Sequence, residues 1–265
     1  MDTSDLAKRM KGYEQVAQSY LYKRMPVIIR LDGKAAHTFT KGFEKPFDIR
    51  FVDAMHFTML DLCKNIEGAV FGYTQSDEIT IVLVDYKHLD TQAWFNYRVD
   101  KICSIAASMA TLAFNRYFNY FVSEWKNNPD IKSFLRKGDE EVKSLLDCYN
   151  NALDKGLLFD VRCFNLPKEE VANNIYWRQL DATRNSIQGL GQKYFSHAEL
   201  QGKNCNDIQD MLYDKFGINW NHYPTIFKRG AACYKTEDGW HLDPVMPLIK
   251  GENRDYVNHL IYVGE

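Results

Sequence analysis

A chain of 265 residues, 45% hydrophobic, 26% charged and 14% aromatic, is long enough to bury a sizeable core as one large domain or two small ones. That composition excludes a disordered tail or a mini-protein. Thirty-three Lys and Arg against 35 Asp and Glu leave a formal charge of −2, so a nucleic-acid partner would have to be held by a local basic patch. The six cysteines form no CxxC pair, which argues against a structural zinc site and fits a reducing compartment. With a polar start and no apolar run of the ~18 residues a span needs, a cytoplasmic protein without a membrane segment is expected.

The first strong signal along the chain is PVIIRLDGK, residues 26–34. A β-branched run ends in the turn pair Asp32-Gly33, predicting a strand with Arg30 and Asp32 on one face and Val27, Ile29 and Leu31 on the other. From Asp48, apolar residues at Phe51, Met55, Met59, Leu62 and Ile66 recur at helical spacing. AVFGYTQSDEITIVLVDY then reads as a β-hairpin with Asp77 and Glu78 at its tip. Phe95, Val99, Ile102, Ala106, Met109 and Ala113 mark a long amphipathic helix that carries Arg98 and Lys101 on its flank. Residues 126–157 read as a charged helical insertion, FDVRCFNL as a fourth strand, and the segment from Pro167 as a helix with the polar stripe Arg178, Asp181, Asn185 and Gln188. A short helix near 206–216 and a strand near 228–234 follow. The order β-α-β-β-α-insertion-β predicts an α+β fold of the ferredoxin-like plan, an antiparallel sheet with helices on one face. It comprises a palm-like domain of residues 1–125 and 158–195, the insertion 126–157 and a C-terminal extension 196–265.

In such a sheet the strands ending in Asp32 and carrying Asp77 are neighbours, so both carboxylates can converge on one edge. Mg²⁺ needs only one or two carboxylates when a triphosphate and water complete its shell, and two ions ~3.5–4 Å apart serve phosphoryl transfer. Each acid alone is also what an ordinary turn contains. The seven histidines are dispersed, with no HExxH, and there is no GxxxxGK[ST] loop, which argues against zinc catalysis and excludes a P-loop.

RLDGKAAHTFTKGFEKPFD followed by GYTQSDEITIVL resembles the tRNA(His) guanylyltransferase superfamily of 3′-to-5′ polymerases. FNYRVDKICS, FDVRCFNLP and YWRQLDATRNSI extend the resemblance over roughly residues 8–125 and 158–215. The resemblance implies a palm-like nucleotidyltransferase that uses two Mg²⁺ ions, ATP and GTP or other NTPs to add nucleotides to the 5′ end of tRNA, and a homotetramer. Carried over by position, Asp32, Asp77 and the Gly33 carbonyl would hold metal, with Glu78 and Ser76 supporting the site. Arg30, Lys45, Arg98 and Lys101 match triphosphate-binding positions, and Asn185 is the surviving asparagine of a nucleotide-contacting motif.

One departure matters. Eukaryotic members carry HINN where this chain has Thr183-Arg184-Asn185-Ser186, a loss typical of the bacterial and archaeal guanylyltransferase-like proteins. The resemblance therefore implies template-dependent repair of 5′-truncated tRNA. Obligate addition of one G to tRNA(His), a cyclase-like palm enzyme acting on free nucleotides and a silent RNA-binding module stand as alternatives.

Overall fold

Alternation in VIIRLDG decides the layering. In the computed structural model, which describes residues 2–264, β1 (Val27–Gly33) sends Val27, Ile29 and Leu31 into one core and Ile28 into another on the opposite face of the sheet. Preceding it is α1 (Asp5–Gln15), none of whose residues is buried. The single turn α2 (Ala36–Phe39) leads to α3 (Ile49–Asn65), which Asp48 caps by accepting from the Arg50 and Phe51 amides. The hairpin β2 (Ala69–Gln75) and β3 (Glu78–Leu83) turns at Ser76-Asp77, and α4 (Val99–Asn127) follows.

These elements and β4 (Phe159–Asn165) build the expected plan. β1 pairs antiparallel with both β3 and β4, and α3 and α4 pack on one face. Ile79, Ile81 and Leu83 meet Met55, Met59, Leu62, Phe114 and Phe118 there, all essentially buried. That is the principal hydrophobic contribution to stability, at roughly 1.5–3 kcal/mol per large side chain buried.

Two features go beyond the sequence reading. The charged segment 126–157 forms helices, α5 (Pro129–Arg136) and α6 (Glu140–Lys155), and α6 packs Tyr149 and Ala152 into the core. Tyr149 is fully buried, its hydroxyl donates to Asp48 Oδ2 at 2.5 Å, and Phe43 packs edge-on against it. Local polarity hid this because one aromatic ring and an alanine suffice to seat an otherwise exposed helix.

The C-terminal part is likewise built into the sheet. After α7 (Lys168–Tyr194), α8 (His197–Leu200), α9 (Cys205–Phe216) and α10 (Thr225–Lys228), strands β5 (Ala231–Thr236) and β6 (Gly239–Asp243) extend it to six strands in the order β4-β1-β3-β2-β5-β6. Helix α7 and the last helix, α11 (Asp255–Ile261), cover the second face, where Val171, Ile175, Val257 and Ile261 bury Ile28, Phe71 and Val82. Helices therefore lie on both faces. The sequence plan left the C-terminal strands in an extension outside the four-stranded sheet because pairing of β5 with β2 is a contact of high sequence separation that no local pattern encodes. Among the described residues no helix is long and apolar enough to cross a membrane.

Candidate active site

Strand polarity brings the two predicted acids together. β1 ends where the β2–β3 hairpin turns, and the Gly33 amide donates to the Asp77 carbonyl at 2.9 Å. A Cβ on Gly33 would come within 3.2 Å of Asp77 Cβ, so glycine permits the close approach. Ser76, at φ +50°, holds a left-handed backbone that non-glycine residues seldom adopt, and its hydroxyl donates to Asp77 Oδ1 at 2.9 Å.

Asp32 and Asp77 line a cleft of about 560 Å³ together with His37, Ser76, Asn185 and Gln188. Burial and the charges of Asp77, Glu78 and Asp160 raise the Asp32 carboxyl above the usual carboxylate range, with Arg30 opposing. Burial also raises Asp77, while the Ser76 hydrogen bond pulls the other way. Crowded, partly desolvated carboxylates are what a hard divalent cation relieves. Two carboxylates on one cleft suit Mg²⁺ in the sparse form that ion accepts when phosphate oxygens and water complete its shell, and among the described residues no larger group of His, Cys, Asp or Glu converges on a metal position.

Glu78 sits in a different electrostatic setting from Asp32 and Asp77. It is the register partner of Asp32, yet its carboxylate is occupied by Arg30, by Arg178 (2.7 Å) and by Gln75 Nε2 (2.9 Å). Two guanidiniums thus neutralise it within the fold. Arg30, expected to bind triphosphate, is held in that same cluster, and its guanidinium and that of Arg178 both lie near the Trp177 ring. Arg178 is the residue the sequence reading left unassigned. Its place in a polar stripe showed a shared face, and only tertiary packing shows that the stripe's first member is buried against the sheet.

Next to the acid cleft lies a smaller one of about 210 Å³, sharing Ser76, Asn185 and Gly189 with it and lined further by Lys45, Phe47 and Phe227. The Phe47 and Phe227 rings stack with centroids 4.8 Å apart and planes 4° from parallel. Phe227 comes from the α10 end, pinned where Gly230 passes so close to Thr74 that a Cβ would collide with its carbonyl oxygen, and where the Tyr73 hydroxyl donates to the Arg229 carbonyl at 2.5 Å. No sequence signal links Phe227 to this site. Lys45 and Asn185 both line this cleft.

Arg98 and Lys101 are not brought there. Helix α4 runs in the same direction as β1 and antiparallel to β4. Near its start Cys103 meets Cys163, which pairs with Ile29, while one helical stretch later Thr111 accepts from the amide of Phe159, the partner of Gly33. Arg98, at the start of α4 and bridged to Tyr20, therefore sits by the opposite end of β1 from Asp32, about 20 Å away at ~3.3 Å per strand residue.

The family described as tRNAHis guanylyltransferase matches residues 7–167, and its C-terminal domain matches residues 169–254. The chain belongs to the tRNA(His) guanylyltransferase family. Its enzymatic class is accordingly that of a nucleotidyltransferase. A bacterial tRNA(His) guanylyltransferase (Thg1)-like protein in complex with ATP is 39% identical with a TM-score of 0.82, over 98% of this chain and all of that one. A bacterial Thg1-like protein in complex with GTP is 36% identical with a TM-score of 0.76 at the same coverage. An uncharacterized protein of Acanthamoeba polyphaga mimivirus is 30% identical over 240 residues, 87% of this chain and 77% of that relative.

Proposed function

We propose that the protein is a template-dependent 3′-to-5′ nucleotidyltransferase that restores missing nucleotides at the 5′ end of tRNA. The observation that carries this reading is the convergence of Asp32 and Asp77 beside a second, aromatic-walled cleft that Lys45 and Asn185 border. One cleft suits the reacting phosphates and the other a nucleotide base. The likeness to bacterial proteins in complex with ATP and with GTP supports the same occupants here.

Asp32, Asp77 and the Gly33 carbonyl would hold two Mg²⁺ ions, which when bound supply Lewis-acid stabilisation of the attacking and leaving oxygens. Lys45 offsets triphosphate charge, Phe47 and Phe227 stack on the base, and the Asn185 amide contacts its edge or the ribose. The 3′-hydroxyl of the incoming NTP attacks the activated 5′-phosphate of the RNA, and AMP or pyrophosphate leaves. Glu78, tied to Arg30 and Arg178, keeps the hairpin seated so that Asp77 stays beside Asp32. Arg98 and Lys101 reach a triphosphate only from a second copy of the chain, as the homotetramer expected from the resemblance would allow.

The repair reading, as against addition of a single G to tRNA(His), rests on the absence of HINN at 183–186. Base choice then comes from pairing with the opposite acceptor strand, since an RNA helix offers the protein mainly shape and backbone. Incubating the protein with 5′-³²P-labelled truncated tRNA, ATP, NTPs and Mg²⁺ tests it. Adenylylated intermediate and an added base that follows the template base are expected. Strict addition of G to full-length tRNA(His), blind to a swapped template base, refutes it, and absence of any tRNA shift in a gel favours an enzyme of free nucleotides.

A further inference from the structure

The acid cleft does not end at the catalytic aspartates. Gln188 and Gln192, one turn apart on α7, wall it on one side and also wall a further cleft of about 520 Å³ that continues onto α8 and the loop before α9. That second cleft is bordered by His197, Gln201 and Lys203 over an apolar floor containing Phe195 and Ile208, with no carboxylate in its lining. Gln188, Gln192, His197, Gln201 and Lys203 are all exposed, and among the described residues none of these five side chains makes an intramolecular hydrogen bond.

Resting on the nucleotidyltransferase reading above, we propose that this groove holds the ribose edge of the terminal nucleotides at the reacting 5′ end of the RNA. Three properties select that occupant. Continuity with the acid cleft means that a polymer whose end lies at Asp32 and Asp77 must leave by some such path, whereas a mononucleotide is already accommodated by the acid cleft and its aromatic neighbour. Three glutamine amides, each able to donate and accept, match hydroxyl groups, and the 2′-hydroxyl is the group that distinguishes RNA. Lys203 supplies the one fixed positive charge for a phosphate, and the lack of carboxylates leaves nothing to repel it. From Gln188 to Tyr194, α7 advances about 9 Å at ~1.5 Å per residue, the length of two or three stacked nucleotides at ~3.4 Å each. Amides that contact sugar and not base also suit an enzyme that takes sequence from a template, because they accept any terminal nucleotide.

The test uses the full chain and a 3′-fluorescein-labelled, 5′-monophosphorylated truncated tRNA, with binding read by anisotropy and adenylylation read with α-labelled ATP. Gln192→Ala, Gln201→Ala and Lys203→Ala are each expected to weaken RNA binding by about threefold to tenfold. The Lys203→Ala loss should shrink as salt is raised, and the KM for ATP should stay within about twofold in Gln201→Ala and Lys203→Ala, whose side chains line the outer cleft and not the acid cleft. Replacing the first three riboses of the RNA by 2′-deoxyribose should weaken binding to the wild-type protein, yet cost the Gln192→Ala/Gln201→Ala variant little more. The substituted side chains are exposed, so thermal melting at the wild-type temperature confirms an intact fold. The groove assignment falls if the variants bind RNA as the wild type does, if the deoxyribose penalty is the same in wild type and variant, or if the loss appears in ATP affinity instead. A wild-type protein that neither binds nor extends tRNA overturns the underlying reading, whatever the variants do.

Discussion

Arg178 Nη2 lies 2.7 Å from Glu78 Oε2, and Arg30 holds the other oxygen of the same carboxylate. Asp32, directly across β1 and β3 from Glu78, instead faces Asp77 and no comparable cation. Two acids in register thus acquire opposite electrostatic surroundings, one satisfied by protein and one left for a ligand.

This asymmetry predicts that Asp32→Asn and Asp77→Asn each lose about 10³-fold or more of nucleotide addition, because each removes a metal carboxylate. The same changes should raise the melting temperature of the metal-free protein, since they delete a desolvated, repelled charge. A variant with more than a tenth of wild-type activity would remove that residue from the metal site.

The direction of both pKa shifts sets a pH dependence. A carboxyl whose folded pKa lies above its unfolded value makes the folded state bind protons more tightly, so stability from these groups is full below the ordinary carboxylate range and is lost as pH rises through the raised folded values. Metal-free wild type should therefore lose melting temperature over that window relative to an Asp32→Asn/Asp77→Asn variant. Mg²⁺ should restore it at neutral pH and do nothing below the window, where the ligands are protonated. Calorimetry across pH, with and without Mg²⁺, reads both effects, and an identical pH profile in the double variant would contradict them.

Glu78 should separate a positioning role from a metal-ligand role. Arg178→Met leaves a buried carboxylate with Arg30 as its only ion-pair partner and should cost about 3 kcal/mol, the low end for a broken buried pair. Glu78→Gln keeps the shape and one acceptor oxygen, at the cost of turning an amide N–H toward one guanidinium, and should retain activity within about tenfold, with an unchanged Mg²⁺ optimum. A loss equal to that of Asp77→Asn, or a shifted Mg²⁺ optimum, would make Glu78 a ligand.

The separation of Arg98 from Asp32 makes a subunit-mixing experiment informative. Asp32→Asn chains and Arg98→Ala chains, each inactive alone, should recover part of the activity when co-expressed, because a mixed assembly contains an intact acid pair facing an intact Arg98. Recovery absent from assemblies verified as mixed would confine Arg98 to a role within its own chain.

Gly189 gives a change with opposite signs on stability and activity. It sits inside α7, borders both the acid and the aromatic clefts, and a Cβ there would meet nothing within 4 Å. Gly189→Leu should stabilise the fold by somewhat under 1 kcal/mol through helix propensity while its side chain fills the cleft and raises the KM for NTP. Thermal melting and steady-state kinetics check the two signs, and an unchanged KM would show that the nucleotide lies elsewhere.

Much of this was legible in the chain itself. The period-2 pattern of VIIRLDG and the hairpin signal around Ser76-Asp77-Glu78 placed Asp32 and Asp77 at one sheet edge, because strand pleating and a short turn are local properties. The 3.6-residue spacing of apolar side chains likewise marked α3 and α4, and the stripe Arg178-Asp181-Asn185-Gln188 marked one face of α7. Which charges remain free for a ligand was decided by tertiary structure alone. Glu78 and Asp77 are sequence neighbours of the same type, and only the arrival of Arg178 from a helix 100 residues away neutralises one of them. Phe227 reaches Phe47 because β5 pairs with β2, and Arg98 is kept away from Asp32 because α4 begins beside the start of β1, at the end opposite Asp32. Both follow from how distant elements pack to bury apolar surface, which the spacing of residues along a single element does not record.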